Sequence, residues 1–416
     1  MTGTTPPAAA PAADPTLSDY ARNYLRRLRG GDIGAVPAVT GLVVLCVVFS
    51  VLSPAFFSPG NFANLTTQGA ATVLIAMGLV FVLLVGEIDL SAGYASGVCA
   101  AVLAISLSTF GLPWYLAALA AILCGMLIGT LLGFLVAKIG IPSFVVTLAA
   151  FLAFQGVALL LLKEGTNITV RDPVIVAINN SHVPPQLGWC LVAVTVIGYT
   201  AIQLSRRRNR LAGGLPSDPV SLIVIRITVL AVLLGGAVFV LNLERSRNTL
   251  IASLKGMPVV VPIIAVLLIA GTFVLRSTAF GRHIYAVGGN REAARRAGIN
   301  VDRIRITAFV VCSSLAAVGG IIAASQARSV DPNTGGSDVL LYAVGAAVIG
   351  GTSLFGGKGR LVDAVLGGTV VAVIINGMGL LGLSSGMKYV VTGAVLLLAA
   401  GVDALSRRRA TATGIR

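Results

Sequence analysis

Charge is scarce in this chain: Asp, Glu, Lys and Arg together make up 11% of its 416 residues, against roughly a quarter in a soluble domain. So few charges cannot clothe a water-soluble globule of this length, which excludes an ordinary soluble fold. Histidine is scarcer still. His182 and His283 are the only two, far apart and on opposite predicted faces, so neither a His-based metal site nor a nucleophile–His pair is expected. Cys46, Cys99, Cys124, Cys190 and Cys312 all lie in apolar blocks and never as CxxC, so they read as small core fillers and not as a redox motif. No apolar block carries a series of carboxylates, so the intramembrane ion site that a proton- or sodium-driven carrier often uses is missing.

Apolar residues, by contrast, make up 56% of the chain, with a mean hydropathy of +0.95. They arrive in long uninterrupted blocks instead of 3.6-residue stripes, so each block is apolar all round and needs lipid or protein on every side. The fold class that follows is all-α, a polytopic transmembrane helical bundle. Candidate spans lie at 35–53, 66–86, 91–110, 113–137, 142–162, 188–205, 221–243, 257–276, 304–325, 339–355, 361–383 and 386–404, each near the ~20 residues that a crossing helix needs. The expectation is therefore about twelve spans, within a range of about 10–14. Two of them, 91–110 and 339–355, are rich in Gly and Ala and are the candidates for broken or re-entrant helices.

Ahead of the first span, residues 1–34 form a Pro/Ala/Thr-rich tail, expected to be disordered, that turns basic at Arg22, Arg26, Arg27 and Arg29. It lacks the apolar core of a signal peptide. The transmembrane domain covers 35–405, with a long loop at 277–303, and a basic tail follows at 406–416. With the N-terminus inside, 22 of the 30 Lys and Arg fall in cytoplasmic segments and six in outer loops, the remaining two being Arg226 and Lys388 near span ends. That asymmetry puts both termini in the cytoplasm. It also accounts for the net charge of +15 through lipid and topology, so nucleic acid is not expected as a partner.

Two nucleotide-like patterns are set aside. Gly377–Gly382 fits GxGxxG but lies inside an apolar span with no strand before it. The stretch GGTSLFGGKG at 350–359 has Thr352 where a phosphate loop has its first Gly, and Gly359 where Ser or Thr binds magnesium. The chain itself is expected to bind no cofactor.

The informative residues are the polar ones that interrupt the apolar blocks, because burying them costs free energy unless they find partners or water. Glu87 and Asp89, in LLVGEIDLSAGY, are separated by one residue and cannot share a helix face, so a turn or helix break is expected there. It reads equally as a gate at a transport pathway or as a short solvated turn. Gln155, Asn376 and Lys388 carry hydrogen-bonding groups into spans; they suit either a polar cargo or interhelical bonds and membrane-edge placement. In the loop at 277–305, Asn290 suits an N-cap, Glu292 a first turn, Ala293 and Ala294 a helix body, Arg295 and Arg296 its C-terminal end, and Gly298 its termination. A helix of that kind either docks into a cytosolic partner or lies free on the surface.

Taken together, these segments resemble the membrane subunit of ABC importers for monosaccharides, the ribose- and xylose-type permeases. Gly86–Gly93 matches the family's G-x-I-D-L-S-x-G element, 141–156 (IPSFVVTLAAFLAFQG) is similar to the segment that follows, GRHIYAVGGNREAARRAGIN at 281–300 resembles its coupling loop, and 350–359 matches a fourth element. Many relatives have Gly where this chain has Glu87, and residues 188–256 look like spans that shorter ribose-type members lack; both lean toward the xylose-like branch. The resemblance implies a homodimer of permease chains in the bacterial inner membrane, an external sugar-binding protein that meets loops 163–187, 244–256 and 326–338, and a cytosolic ATPase that carries ATP and Mg. It assigns ATPase coupling to Gly289, Asn290, Glu292, Ala293, Ala294 and Gly298, support of a gate to Glu87, Asp89 and Ser91, and leaves Gln155 and Asn376 as substrate-pathway candidates. The alternatives are an ion-coupled secondary carrier, which would need an ion site in the membrane, and a membrane-embedded enzyme, which would need catalytic groups at one depth.

Overall fold

The structure is a computed structural model that describes residues 36–412 apart from Glu164, Pro216 and 247–252, together with Arg22 and Arg26. The tail expected over 1–34 lies outside the described residues except at those two arginines, as do residues 413–416 of the C-terminal tail.

The described chain is helical almost throughout. In order, α1 is Val36–Leu52, α2 Pro59–Gln68, α3 Ala70–Leu84, α4 Ala92–Ser108, α5 Trp114–Phe134, α6 Ser143–Leu162, α7 Pro173–Asn180 and α8 Pro185–Ala212. Then come α9 Val220–Leu241, α10 Val260–Ser277, α11 Ala279–Gly289, α12 Arg291–Arg296, α13 Val301–Ala327, α14 Ser337–Ile349, α15 Leu361–Leu380 and α16 Ser385–Ala412. Two antiparallel pairs of two residues each join outlying loops: β1 (Ile168–Thr169) with β4 (Ser329–Val330), and β2 (His182–Val183) with β3 (Met257–Pro258).

Among the described residues, seven helices are long and apolar enough to cross a bilayer, or eight if α2 and α3, bent by 41° at their junction, count as one span. The apolar helices α1, α4 and α14 are shorter, at 17, 17 and 13 residues. The last two coincide with the Gly/Ala-rich blocks, and each is short for a visible reason. A non-helical segment, residues 87–91, precedes α4, and a loop, residues 331–336, precedes α14.

Two packed units divide the chain, one of residues 34–183 and 257–405 and another containing 184–256. In the second, α8 and α9 pack on each other, with Gly188 against Val238, and Arg226 pairs with Asp218 at 2.8 Å. Beyond α9, the Glu244 carboxylate accepts from the Ser253 hydroxyl at 2.7 Å and the Leu254 amide at 2.9 Å. Those donors hold its pKa down at about 2.

The core of the larger unit is α13 with α3, α4 and α5 around it. Helix α3 is buried on every side, Leu74, Ile75, Met77, Leu79 and Leu84 being 1% exposed or less. Close approach comes from small residues. Gly125, Gly129 and Gly133 recur every fourth residue on α5, and a Cβ on each would lie within 2.8 Å of Ser313, Phe309 or Ile306 in α13. With no hydrophobic effect between helices in lipid, such backbone-to-backbone contact supplies the packing.

Candidate functional site

At one end of the larger unit, the four segments singled out in the sequence meet. Helix α3 stops at Leu84, and Gly86, at φ +74°, turns the chain in a conformation that a side chain would strain. The following non-helical residues run alongside α6, where the Ser143 hydroxyl accepts from the Ile88 amide at 3.3 Å and the Thr147 hydroxyl donates to the Ile88 carbonyl at 3.3 Å. Non-helical backbone inside an apolar bundle is tolerated only when its polar groups are satisfied in this way. Ser143 and Thr147 belong to IPSFVVT, so the second motif segment supports the first.

Glu87 is the electrostatic centre of the junction. Its side chain is 6% exposed, and its Oε1 accepts from Arg291 Nη2 at 2.5 Å and from Arg305 Nη2 at 2.7 Å. Arg305 also donates through Nε at 2.9 Å, while Arg291 Nη2 reaches the Val85 carbonyl at 3.2 Å. One buried carboxylate thus holds the helix break, the start of α12 and the first turns of α13 together. Charge-assisted bonds of this kind are about twice as strong as neutral ones.

Helix α12 occupies the segment whose caps the sequence signalled. The Asn290 Oδ1 accepts from the Ala293 amide at 2.9 Å, Glu292 pairs with Arg296 at 3.3 Å, and Gly298 turns the chain at φ +82°. Gly289, Asn290, Glu292, Ala293 and Gly298 are exposed, whereas Ala294 is turned inward and is 4% exposed. Ala294 is therefore the footing on which α12 rests, and its side chain is not offered to a partner.

The fourth segment closes the junction through its glycines. Gly357 donates its amide to the Leu84 carbonyl at 2.9 Å. A Cβ on Gly288 would lie 1.7 Å from that same carbonyl and 2.6 Å from the Gly357 amide, so backbone meets backbone with no room for a methyl group. The Tyr285 hydroxyl donates to the Gly359 carbonyl at 2.7 Å, and burial pushes its pKa up.

Asp89 and Ser91 lie deeper. Asp89 Oδ1 accepts from the Ser91 amide at 2.9 Å and from the Ser91 hydroxyl at 2.6 Å, a local turn that ends the non-helical segment just before α4. Its Oδ2 accepts from the Cys312 thiol at 3.6 Å, and Cys312 is seven residues, about 10 Å, further along α13 than Arg305. The acidic pair is thus divided between two environments. Glu87 faces α12 and the start of α13, and Asp89 the bundle interior.

Residues 61–400 of the chain match a protein-family model described as the permease component of the branched-chain amino acid transport system. The chain belongs to this permease family. It is similar to the xylose transport system permease protein XylH of Escherichia coli K12, with 35% identity over 372 residues, 89% of this chain and 92% of the relative. XylH of Haemophilus influenzae is 33% identical over 384 residues, 92% of this chain and 99% of the relative. The ribose import permease RbsC of E. coli K12 is 31% identical over 366 residues, 88% and 92% of the two chains. No solved structure was found to match.

The remaining polar residues of the permease are spread through the bundle. Asn376 of α15 accepts from Asn61 Nδ2 at 2.8 Å and donates to Gln68 Oε1 at 3.1 Å, tying α15 to α2. Gln155 is half-buried on α6. At the end opposite the junction, pairing of β1 with β4 brings residues 165–167 and 331–333 together around an open cavity of about 640 Å³, where Thr166, Asn167, Asp331 and Asn333 supply the polar groups. Sequence reasoning missed Arg291 and Arg305 as partners of Glu87. The excess of arginine in the 276–305 loop signalled a membrane side and hid two residues that belong to the site.

Proposed function

We propose that the chain is the membrane-spanning subunit of an ATP-binding-cassette importer that carries a monosaccharide, xylose or ribose, across the bacterial cytoplasmic membrane. The names of its relatives XylH and RbsC support the sugar over the amino acid in the family's description. In this reading the twelve apolar blocks are twelve spans with both termini cytoplasmic, α4 and α14 crossing together with the non-helical segments that precede them. Two copies form the pathway, and a sugar-binding protein docks over the outer loops at 163–187, 244–256 and 326–338.

A cytosolic ATPase, which holds ATP and Mg, grips the exposed face of α12 through Gly289, Asn290, Glu292, Ala293 and Gly298. The observation that carries this mechanism is the Glu87 carboxylate held between Arg291 and Arg305. When the ATPase pulls α12, Arg291 draws on Glu87, and the non-helical segment through Asp89 and Ser91 moves with α13 as a rigid assembly, a packed interface with discrete arrangements. Gln155 and Asn376 are assigned to the substrate pathway, Asn376 also holding α2 in place.

Detergent-solubilised permease tests the partner. Wild type is expected to retain a co-purifying P-loop ATPase, and Glu292→Ala combined with Ala293→Arg, both exposed on α12, to lose it while keeping its thermal stability. If no ATPase co-purifies and the chain reconstituted alone moves sugar down an ion gradient, the secondary-carrier alternative takes the place of the importer.

A further inference from the structure

Two helices of the permease begin inside the bundle, not at its ends, and their starting turns touch. A Cβ on Gly93, in the first turn of α4, would lie 2.7 Å from the Gly335 carbonyl, and one on Gly97 would lie 1.9 Å from that of Thr334, both just ahead of α14. The depth follows from α13. Gly320 abuts the Ser96 carbonyl, fifteen residues and about 22 Å along that helix from Arg305. The chain therefore brings the first turns of α4 and α14 together well within the span.

Asp338 stands in the first turn of α14 at this meeting point. Its Oδ2 accepts from the Tyr389 hydroxyl of α16, and its Oδ1 from the Ser337 hydroxyl at 3.4 Å. Tyr342 follows one turn later on the same helix face. Tyr94 enters from α4, its hydroxyl 3.7 Å from a Cβ built on Gly336 and its ring edge-on to Phe151 at 4.8 Å. Gln155 is one turn along α6 from Phe151 and so shares its face.

This side of the chain is open: Tyr389 is 47% exposed and Asp338 is half-buried. A carboxylate at this depth is costly against lipid, so the face that carries it borders water or a second copy. The chemistry suits a sugar. A carboxylate has about four acceptor sites, and the Ser337 and Tyr389 hydroxyls take two. Phenols both donate and accept, and aromatic rings cover the apolar C–H face of a pyranose or furanose, the few-polar-groups-on-an-apolar-wall pattern of small-molecule sites. We infer that Asp338, with Tyr94, Tyr342 and Tyr389, is the site inside the permease that receives the hydroxyls of the transported monosaccharide. This inference rests on the sugar-importer reading above.

The test uses the full complex, permease with its ATPase and sugar-binding protein, in liposomes, with xylose, ribose and their single-deoxy analogues. Asp338→Asn is expected to lower sugar moved per ATP hydrolysed by tenfold or more. It is also expected to erase the preference for the parent sugar over the analogue lacking the recognised hydroxyl. Tyr342→Phe should weaken that preference while leaving the fold intact, and it carries the test if the Asp338 variant does not assemble. Sugar moved per ATP and deoxy-sugar preference both unchanged in an assembled variant would make the Asp338–Tyr389 contact an interhelical bond alone and overturn the site. If the wild-type complex moves no monosaccharide, the importer reading fails first.

Discussion

At the scale of single residues, Glu87 carries the most consequence. It is a carboxylate with two guanidinium partners, and each partner comes from a different helix. Removing one member of a buried charged group costs about 3–5 kcal/mol, because the others are left uncompensated. Arg305, 14% exposed at its side chain, bears that cost more than Arg291, which is 45% exposed. Glu87→Gln is therefore expected to lower the thermal midpoint of the purified permease, and to uncouple ATP hydrolysis from uptake in the reconstituted complex. Arg291→Ala should leave the midpoint nearly unchanged and still uncouple. Equal uptake per ATP in Arg291→Ala and wild type would remove Arg291 from the coupling route. Of this trio only Glu87 was legible as a site residue. Its partners lie 204 and 218 positions away, and arginine in a basic loop has no local mark that separates a membrane-side charge from an ion-pair partner.

Among the elements, the docking of α11 on the end of α3 is decided by a missing side chain. Gly288 sits against the Leu84 carbonyl where a methyl group would overlap it at 1.7 Å. Backbone cannot yield as a flexible side chain does, and overpacking of this kind costs about 1–3 kcal/mol. Gly288→Ala is expected to lower the thermal midpoint and weaken ATPase retention together, since α12 is carried on α11. Gly379→Ala on α15, where a Cβ meets nothing within 4 Å, is the control and should lower neither. The same logic explains the seam of Gly125, Gly129 and Gly133. The GxxxGxxxG spacing stands in the sequence, yet the partner helix is named only by packing. Asn290 was different: a cap acts within three residues of itself, and its bond to Ala293 falls where helix-start chemistry alone puts it.

In the proposed importer, the whole molecule converts these contacts into a directional task only in company with an ATPase and a binding protein. A permease driven by ATP is expected to continue sugar uptake in cells treated with an uncoupler, provided that ATP is maintained, and to stop when ATP is depleted. Uptake that collapses with the ion gradient at constant ATP would place the energy source in the membrane instead. Outwardly the chain reads as a continuous series of apolar blocks, and composition was enough to make it a polytopic helical protein. Length was the weaker guide. The blocks at 91–110 and 339–355, whose Gly/Ala content marks them in the sequence as candidates for broken or re-entrant helices, hold the short helices α4 and α14, which begin part-way through the bundle.

What the sequence determined by itself was therefore the class and the local chemistry. Long apolar blocks dictate membrane helices because an unpaired backbone cannot survive in lipid, and the acid-bearing break, the capped loop helix and the glycine loop are marked by neighbours a few residues apart. Tertiary structure alone decided that Glu87 lies between Arg291 and Arg305, that Gly288 and Gly357 close on Leu84, and that Asp338 meets Tyr389 while Tyr94 approaches the neighbouring Gly336. The physical reason is range. Hydropathy and capping depend on the chain within a few residues, whereas an ion pair, a backbone-to-backbone contact or a cluster of phenols around a carboxylate depends on which distant helices share a face.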